Sequence, residues 1–321
     1  MPRDRQFAIG TASAIIAATL FGMLGPLARF GAEAGVEGVA FTAWRAVLGV
    51  AFLALVIGVR GGIGGSVGSI RGLSGRGRAS LALAALMGLT LNASIFTAFG
   101  LIPIALALML FYTYPAGVVV VDVALGRERI TPSRLAALGL SSLGVMLVLI
   151  GGVDPSAGFT VNPLGVLLGL GAAASQVVFV SVSRHGYRAV PADAATLVIL
   201  LVSVVGGAVI AVVVGQGGDL LVPFRSPDPW PVLLLAGVAA AGLSSVLFLT
   251  AIRTLGGTRT GILMLLEPVV GAVLAGLVLH ETLAPIQFVG GGLVLLGALV
   301  LQLRSDPELE PLVEAGASPV I

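Results

Sequence analysis

Residues 112–132 read YTYPAGVVVVDVALGRERITP, and residues 265–285 read LLEPVVGAVLAGLVLHETLAP. At an offset of 153 the two stretches align without a gap. Tyr114 falls on Glu267, Pro115 on Pro268, Glu128 on Glu281 and Pro132 on Pro285. The register runs outward in both directions for about fifty residues, from Thr97-Ala98 on Thr250-Ala251 to Gly139 and Gly144 on Gly292 and Gly297. Glycine matches come cheaply in a chain with 46 Gly, whereas Pro and Glu are rare enough here for their coincidence to count. The chain is read as an internal duplication.

Composition says where that duplication lives. Of the 321 residues, 57% are hydrophobic and only 10% are charged, with a mean hydropathy of +1.11. A soluble domain carries about 45–50% apolar and about 25% charged residues. So few charges cannot cover the surface of a soluble protein this size. An ordinary soluble enzyme, a disordered chain and a nucleic-acid binder are thereby excluded. All 17 basic residues are Arg, and the formal net charge is only +2, so the high isoelectric point does not signal nucleic acid. With no Cys, disulfides, thiolate metal sites and cysteine nucleophiles are excluded too.

A transmembrane helix needs about 20 largely apolar residues. Ten stretches qualify: 7–28, 39–59, 80–101, 104–125, 135–152, 164–183, 194–215, 231–252, 257–279 and 286–303. The first follows Arg3 and Arg5 but is too long for a signal-peptide core, and it is read as a retained helix. Residues 304–321, with Asp306, Glu308, Glu310 and Glu314, read as an acidic cytoplasmic tail without a fold of its own.

Arginine fixes the orientation, because short cytoplasmic loops are enriched in Lys and Arg. With the N-terminus inside, the inner segments hold Arg3, Arg5, Arg60, Arg71, Arg76, Arg78, Arg127, Arg129, Arg134, Arg184, Arg188, Arg253, Arg259 and Arg304. Only Arg29 and Arg225 fall outside, and Arg45 lies within a span. The expected fold is all-α, with ten transmembrane helices and both termini cytoplasmic. Its units are two five-helix repeats, 7–152 and 163–303. Five is odd, so the second repeat enters the membrane inverted. The arginines agree: Arg127 and Arg129 follow the fourth span, while His280 and Glu281 follow its counterpart, the ninth.

The pattern of Tyr114-Pro115 or Glu267-Pro268 within an apolar helix, Glu128 or Glu281 at its end, then Pro132 or Pro285 opening a Gly-rich helix, resembles the EamA domain of the drug/metabolite transporter superfamily. Trp44-Arg45 fits the first repeat of that family and has no counterpart in the second, near Val198–Leu201. The resemblance spans essentially the whole chain. It implies transport of a small metabolite by inverted repeats, often as export, and is nearly silent on substrate.

Among individual residues, Glu267 is the sharpest candidate. A carboxylate near mid-membrane is costly, and Pro268 beside it frees a backbone carbonyl one turn earlier. It suits a proton or substrate pathway, or a protonated carboxyl bonded across a helix interface. Arg45, which cannot shed its charge, needs an anion, a carbonyl or Glu267 as partner, or else snorkels to the interface. Trp44 walls a pocket or anchors at the interface. Tyr114 shares the repeat position of Glu267 and is favoured over Tyr112 as the one facing a cavity. Asn92 and Gln176 are lone amides at depth, fit for a polar solute or for interhelical bonding. Pro115 and Pro268 are candidate hinges. Glu128, Glu281, Pro132 and Pro285 are structural marks, setting the start of the following helix. Asp122 is expected to pair with Arg127 or Arg129. The Gly-rich stretch 61–77 reads as a flexible basic loop in reach of anionic lipid.

No P-loop exists, so ATP does not drive this chain directly, and neither cofactor nor metal is expected. The expected partners are a small-molecule substrate and the bilayer, with protons as a candidate coupling ion and no nucleic acid. The leading reading is a multi-pass carrier of the cytoplasmic membrane for a metabolite, amino-acid-like solute or drug. It works by alternating access, as an exporter. A channel or non-transporting subunit stays open, as does, less readily, an intramembrane enzyme, whose clustered acids, His or Ser near one interface are missing here.

Overall fold

The computed structural model describes residues 3–36, 38–129, 131–152, 162–280 and 282–303. Glu281 and the acidic tail lie outside the described residues. Ten helical spans are long and apolar enough to cross a membrane. The first joins α1 (Arg3–Gly22) and α2 (Leu24–Glu33); the second is α3 (Gly38–Val59). A short helix, α4 (Ile63–Arg71), leads to the third, α5 (Gly75–Phe99). The fourth is split into α6 (Ile104–Phe111) and α7 (Tyr114–Ala124); α8 (Pro132–Gly151) closes the repeat. The second repeat runs α9 (Pro163–His185) and α10 (Ala192–Val213), then a loop carrying α11 (Val222–Arg225). Its eighth span is α12 (Trp230–Gly237), a π-helical segment Val238–Leu243 and α13 (Ser244–Leu255). The ninth is split into α14 (Gly257–Met264) and α15 (Glu267–Val278), and α16 (Pro285–Leu303) ends the fold.

Hydropathy reads the apolar core of a span, while the helix continues into polar residues beyond it. The third span thus begins at Gly75 rather than near Ser80, capped by Ser74, whose Oγ accepts from the Gly77 N–H at 3.1 Å. Pro132 and Pro285 occupy first turns as expected. Thr131 Oγ1 accepts from the Arg134 N–H at 3.4 Å, which satisfies one of the donors a helix start leaves free. The stretch read as a flexible loop holds α4. Its C-terminal end is pinned by Ile70, which packs against buried residues from both repeats.

In lipid, helices associate through close packing of small residues, and α8 and α16 show it best. A Cβ on Gly144 would lie 2.5 Å from the Gly290 carbonyl oxygen, and one on Gly297 would lie 2.8 Å from that of Ala137. At the repeat offset of 153, Gly144 corresponds to Gly297 and Ala137 to Gly290. The two contacts are one contact seen from either repeat, so the pseudo-twofold axis passes between these helices.

Candidate functional site

The fourth and ninth spans break at equivalent places for the same reason. Pro115 and Pro268 sit at the second residue of α7 and α15. Neither has an N–H to give to the residue four back, so the carbonyls of Phe111 and Met264 lose their helical donor. The chain tightens there. Thr113 N–H turns to the Leu110 carbonyl at 3.3 Å, and Leu266 N–H to that of Leu263 at 3.1 Å. Tyr114 and Glu267 therefore open half-helices whose N-terminal dipole ends lie near the middle of spans Ile104–Ala124 and Gly257–Val278. Discontinuous helices of this kind surround the midplane sites of inverted-repeat carriers.

Glu267 collects its surroundings from both repeats. The Tyr112 hydroxyl faces its carboxylate, and the Tyr114 hydroxyl faces the Gln176 amide beside it. Tyr112 and Tyr114 are both buried, and the Phe111 ring lies 5.2 Å from each. The first helix approaches so closely that a Cβ on Gly22 would lie 2.8 Å from the Glu267 carbonyl oxygen.

Arg45 lies buried on α3, 8% exposed, so it does not snorkel. Its Nη2 donates to Asn92 Oδ1 at 2.5 Å, while Asn92 Nδ2 donates to the Gly88 carbonyl at 2.8 Å, which fixes the amide's orientation. The guanidinium stands 6.0 Å from the Phe96 ring centroid. It lies within electrostatic reach of Glu267 without forming an ion pair with it. Two opposite charges thus share one interior, each held by neutral polar neighbours. The π-helical segment of the eighth span packs against α3 here, and a Cβ on Gly237 would lie 3.1 Å from the Arg45 carbonyl oxygen. Such bulges recur at functional sites.

Trp44 stands apart from this cluster. Its Nε1–H donates to the Leu220 carbonyl at 3.1 Å, and its ring packs 5.4 Å from Phe224 and 5.6 Å from Trp230. It tethers the loop that carries α11. On the same face, the Val39 N–H donates to Gln216 Oε1 at 2.8 Å.

The arginine-rich face is closed by charge. Glu128 Oε1 accepts from Arg184 Nη1 at 2.8 Å, and its Oε2 faces Arg134 Nη1 at 3.4 Å. Asp122, 1% exposed, lies 3.6 Å from Arg184 and 3.7 Å from Arg127. Glu128 therefore links α8 and α9 rather than capping α8, a role Thr131 fills. Asp122 takes its expected partner Arg127 and also Arg184, which local sequence could not supply because α9 comes from the other repeat. Gly256, between α13 and α14, and Gly257, which opens α14, rest on this cluster. Gly256 has φ +86°, and a Cβ there would lie 2.9 Å from both Arg184 Cζ and Glu128 Oε1. One Cβ on Gly257 would lie 3.0 Å from Asp122 Oδ2. At the repeat offset of 153, Asp122, Arg127 and Arg134 become Ala275, His280 and Gln287. The ionic cluster thus has no copy on the opposite face at these positions.

The EamA-like transporter family model matches residues 8–150 and again 163–303. The chain belongs to this family. An uncharacterized transporter of Archaeoglobus fulgidus is 27% identical over 227 residues, which cover 70% of this chain and 76% of that protein. A solved crystal structure superposes with a TM-score of 0.73 at 21% identity, covering 92% of this chain and 96% of the other, and shares its fold. This EamA-family chain is a multi-pass membrane protein of transporter type, and its surroundings are a lipid bilayer. Among the described residues no group of three or more His, Asp or Glu is placed to hold a metal.

Within this EamA-family fold, Glu267, Arg45, Tyr114, Asn92 and Gln176 converge, and Trp44 does not join them. Sequence reasoning undervalued Tyr112. Positions i and i+2 diverge on a continuous helix, but the break between α6 and α7 turns both tyrosines inward. Pro115 three residues on was the available signal.

Proposed function

We propose that this protein is a secondary carrier that moves a small metabolite or amino-acid-like solute by alternating access, with Glu267 and Arg45 as its central polar pair. The observation that carries the reading is two opposite charges within apolar spans, Glu267 at mid-span and Arg45 nearer one end of α3, close to each other yet unpaired. Arg45 offers a planar fork to an anionic group. Glu267, at the mouth of a half-helix, accepts a cationic group or takes up and releases a proton. Binding a solute with both polarities satisfies both charges at once. The five-helix units 7–152 and 163–303 exchange conformations, and the acidic segment 304–321 belongs to the cytoplasmic side. The arginine distribution supports cytoplasmic termini in the cytoplasmic membrane. Export is the direction the family resemblance supports.

Thermal-shift screening of the purified protein against metabolites supplies a ligand, and counterflow in proteoliposomes then follows it. Saturable counterflow distinguishes a carrier from a channel. The expectation is that Glu267→Gln lowers counterflow at least about tenfold and removes its pH dependence, the loss of roughly 1.4 kcal/mol or more of site free energy. Unchanged rate and pH profile in a well-folded Glu267→Gln protein would refute the coupling role.

A further inference from the structure

We infer that the segment from Arg60 to Arg78, built around α4, is a docking surface for anionic phospholipid headgroups. It joins the end of α3 to the start of α5, so it lies along the membrane face where both spans emerge. It is held there at both ends. The Gly62 N–H bonds back to the Ile57 carbonyl at 2.9 Å, and Ile63 Cδ1 would touch a Cβ on Gly58 at 3.7 Å. At the other end Ile70 and Leu73 pack with Tyr187, Val190 and Leu81.

At helical spacing Ile63, Val67 and Ile70 share one face of α4. Ile70 spends that face on the protein. Ile63 and Val67, 59% and 40% exposed, present it outward, and Val59 just before them is 80% exposed. An apolar stripe lying at a membrane face suits the headgroup and acyl boundary.

Charge names the lipid. Arg60, Arg71, Arg76 and Arg78 are all exposed. The sequence holds no Asp or Glu between Glu37 and Asp122, and among the described residues none of the four arginines forms an ion pair. Four guanidiniums beside an apolar stripe complement anionic headgroups, whereas a zwitterionic headgroup offers them no net attraction. Elsewhere on this face several arginines are engaged. Arg134 and Arg184 meet Glu128, Arg127 meets Asp122, and Arg188 donates to the Arg253 carbonyl. The α4 segment is where exposed arginines concentrate beside an apolar stripe. It also couples the bilayer to the central site, because α3 carries Arg45 and α5 carries Asn92.

The test uses the full-length protein in nanodiscs of phosphatidylcholine containing a minor fraction of phosphatidylglycerol, with protein-retained lipid measured by native mass spectrometry. The wild type should retain phosphatidylglycerol over phosphatidylcholine by about tenfold, and the combined Arg60→Gln, Arg71→Gln, Arg76→Gln and Arg78→Gln protein should lose most of that preference. Val67→Asp should lower total lipid retention at α4. A control carrying Arg5→Gln and Arg129→Gln, on the same face outside the segment, should keep the preference. Equal preference in the quadruple variant, or an equal loss in the control, would overturn the assignment. Monodisperse elution and an unchanged melting point in phosphatidylcholine alone confirm that the variants are folded.

Discussion

Glu267 and Arg45 are useful to a carrier because neither is satisfied by the other. A closed salt bridge would hold the interior in one arrangement, whereas Arg45 leans on Asn92 and Glu267 on Tyr112. Tyr112→Phe removes only the hydroxyl that faces the carboxylate. A hydrogen bond of about 1 kcal/mol corresponds to roughly 0.7 pH unit. The pH of half-maximal counterflow should therefore move by about that amount, while Tyr114→Phe, whose hydroxyl faces Gln176, should leave it in place. Arg45→Gln should raise the half-saturating concentration about ten- to a hundredfold, read from counterflow titrations. Glu267 and Arg45 were legible in the sequence because a charge within an apolar run is conspicuous. Their environments were not, since Asn92 lies 47 residues from Arg45 and Gln176 lies 91 residues before Glu267.

Helical elements follow from local chemistry more fully than their interruptions do. Runs of apolar residues bounded by Arg, Gly and Pro gave ten spans with edges off by a few residues. The breaks in the fourth and ninth spans are also local, since Pro115 and Pro268 each remove a donor. The π-helical segment Val238–Leu243 has no such mark; it lies where Gly237 approaches α3. The α8–α16 crossing makes a sharp prediction at this scale. A side chain on Gly144 meets the Gly290 backbone, which cannot rotate away, so Gly144→Leu must part the helices. Destabilisation of about 2 kcal/mol or more is expected, measured by thermal or denaturant unfolding in detergent. Gly139→Leu, at a position with open space around its Cβ, should cost little.

Across the whole molecule the two membrane faces are closed by different chemistry. One uses Asp122, Glu128, Arg127, Arg134 and Arg184; the other uses indole and amide hydrogen bonds around Trp44, Trp230 and Gln216. Duplication was plain in the sequence. This asymmetry was not, because it depends on which repeat each partner comes from. Removing Arg184 leaves two carboxylates close together without their shared cation, which in buried pairs costs about 3–5 kcal/mol and less here, since Arg184 is 18% exposed. Arg184→Gln should therefore open the arginine-rich face more often, while Arg184→Lys, which keeps a cation between Asp122 and Glu128, should stay closer to the wild type. The most direct test of alternating access exploits the absence of native cysteine. A single cysteine is placed at Asn92 or Gln176, and a membrane-impermeant thiol reagent is applied to one side of oriented vesicles at a time. Access from either side alone is predicted, with Arg184→Gln speeding labelling from the arginine-rich side and slowing it from the other. Labelling from both sides that rises together in Arg184→Gln, as a continuous pore would give, or from neither side, would contradict the account.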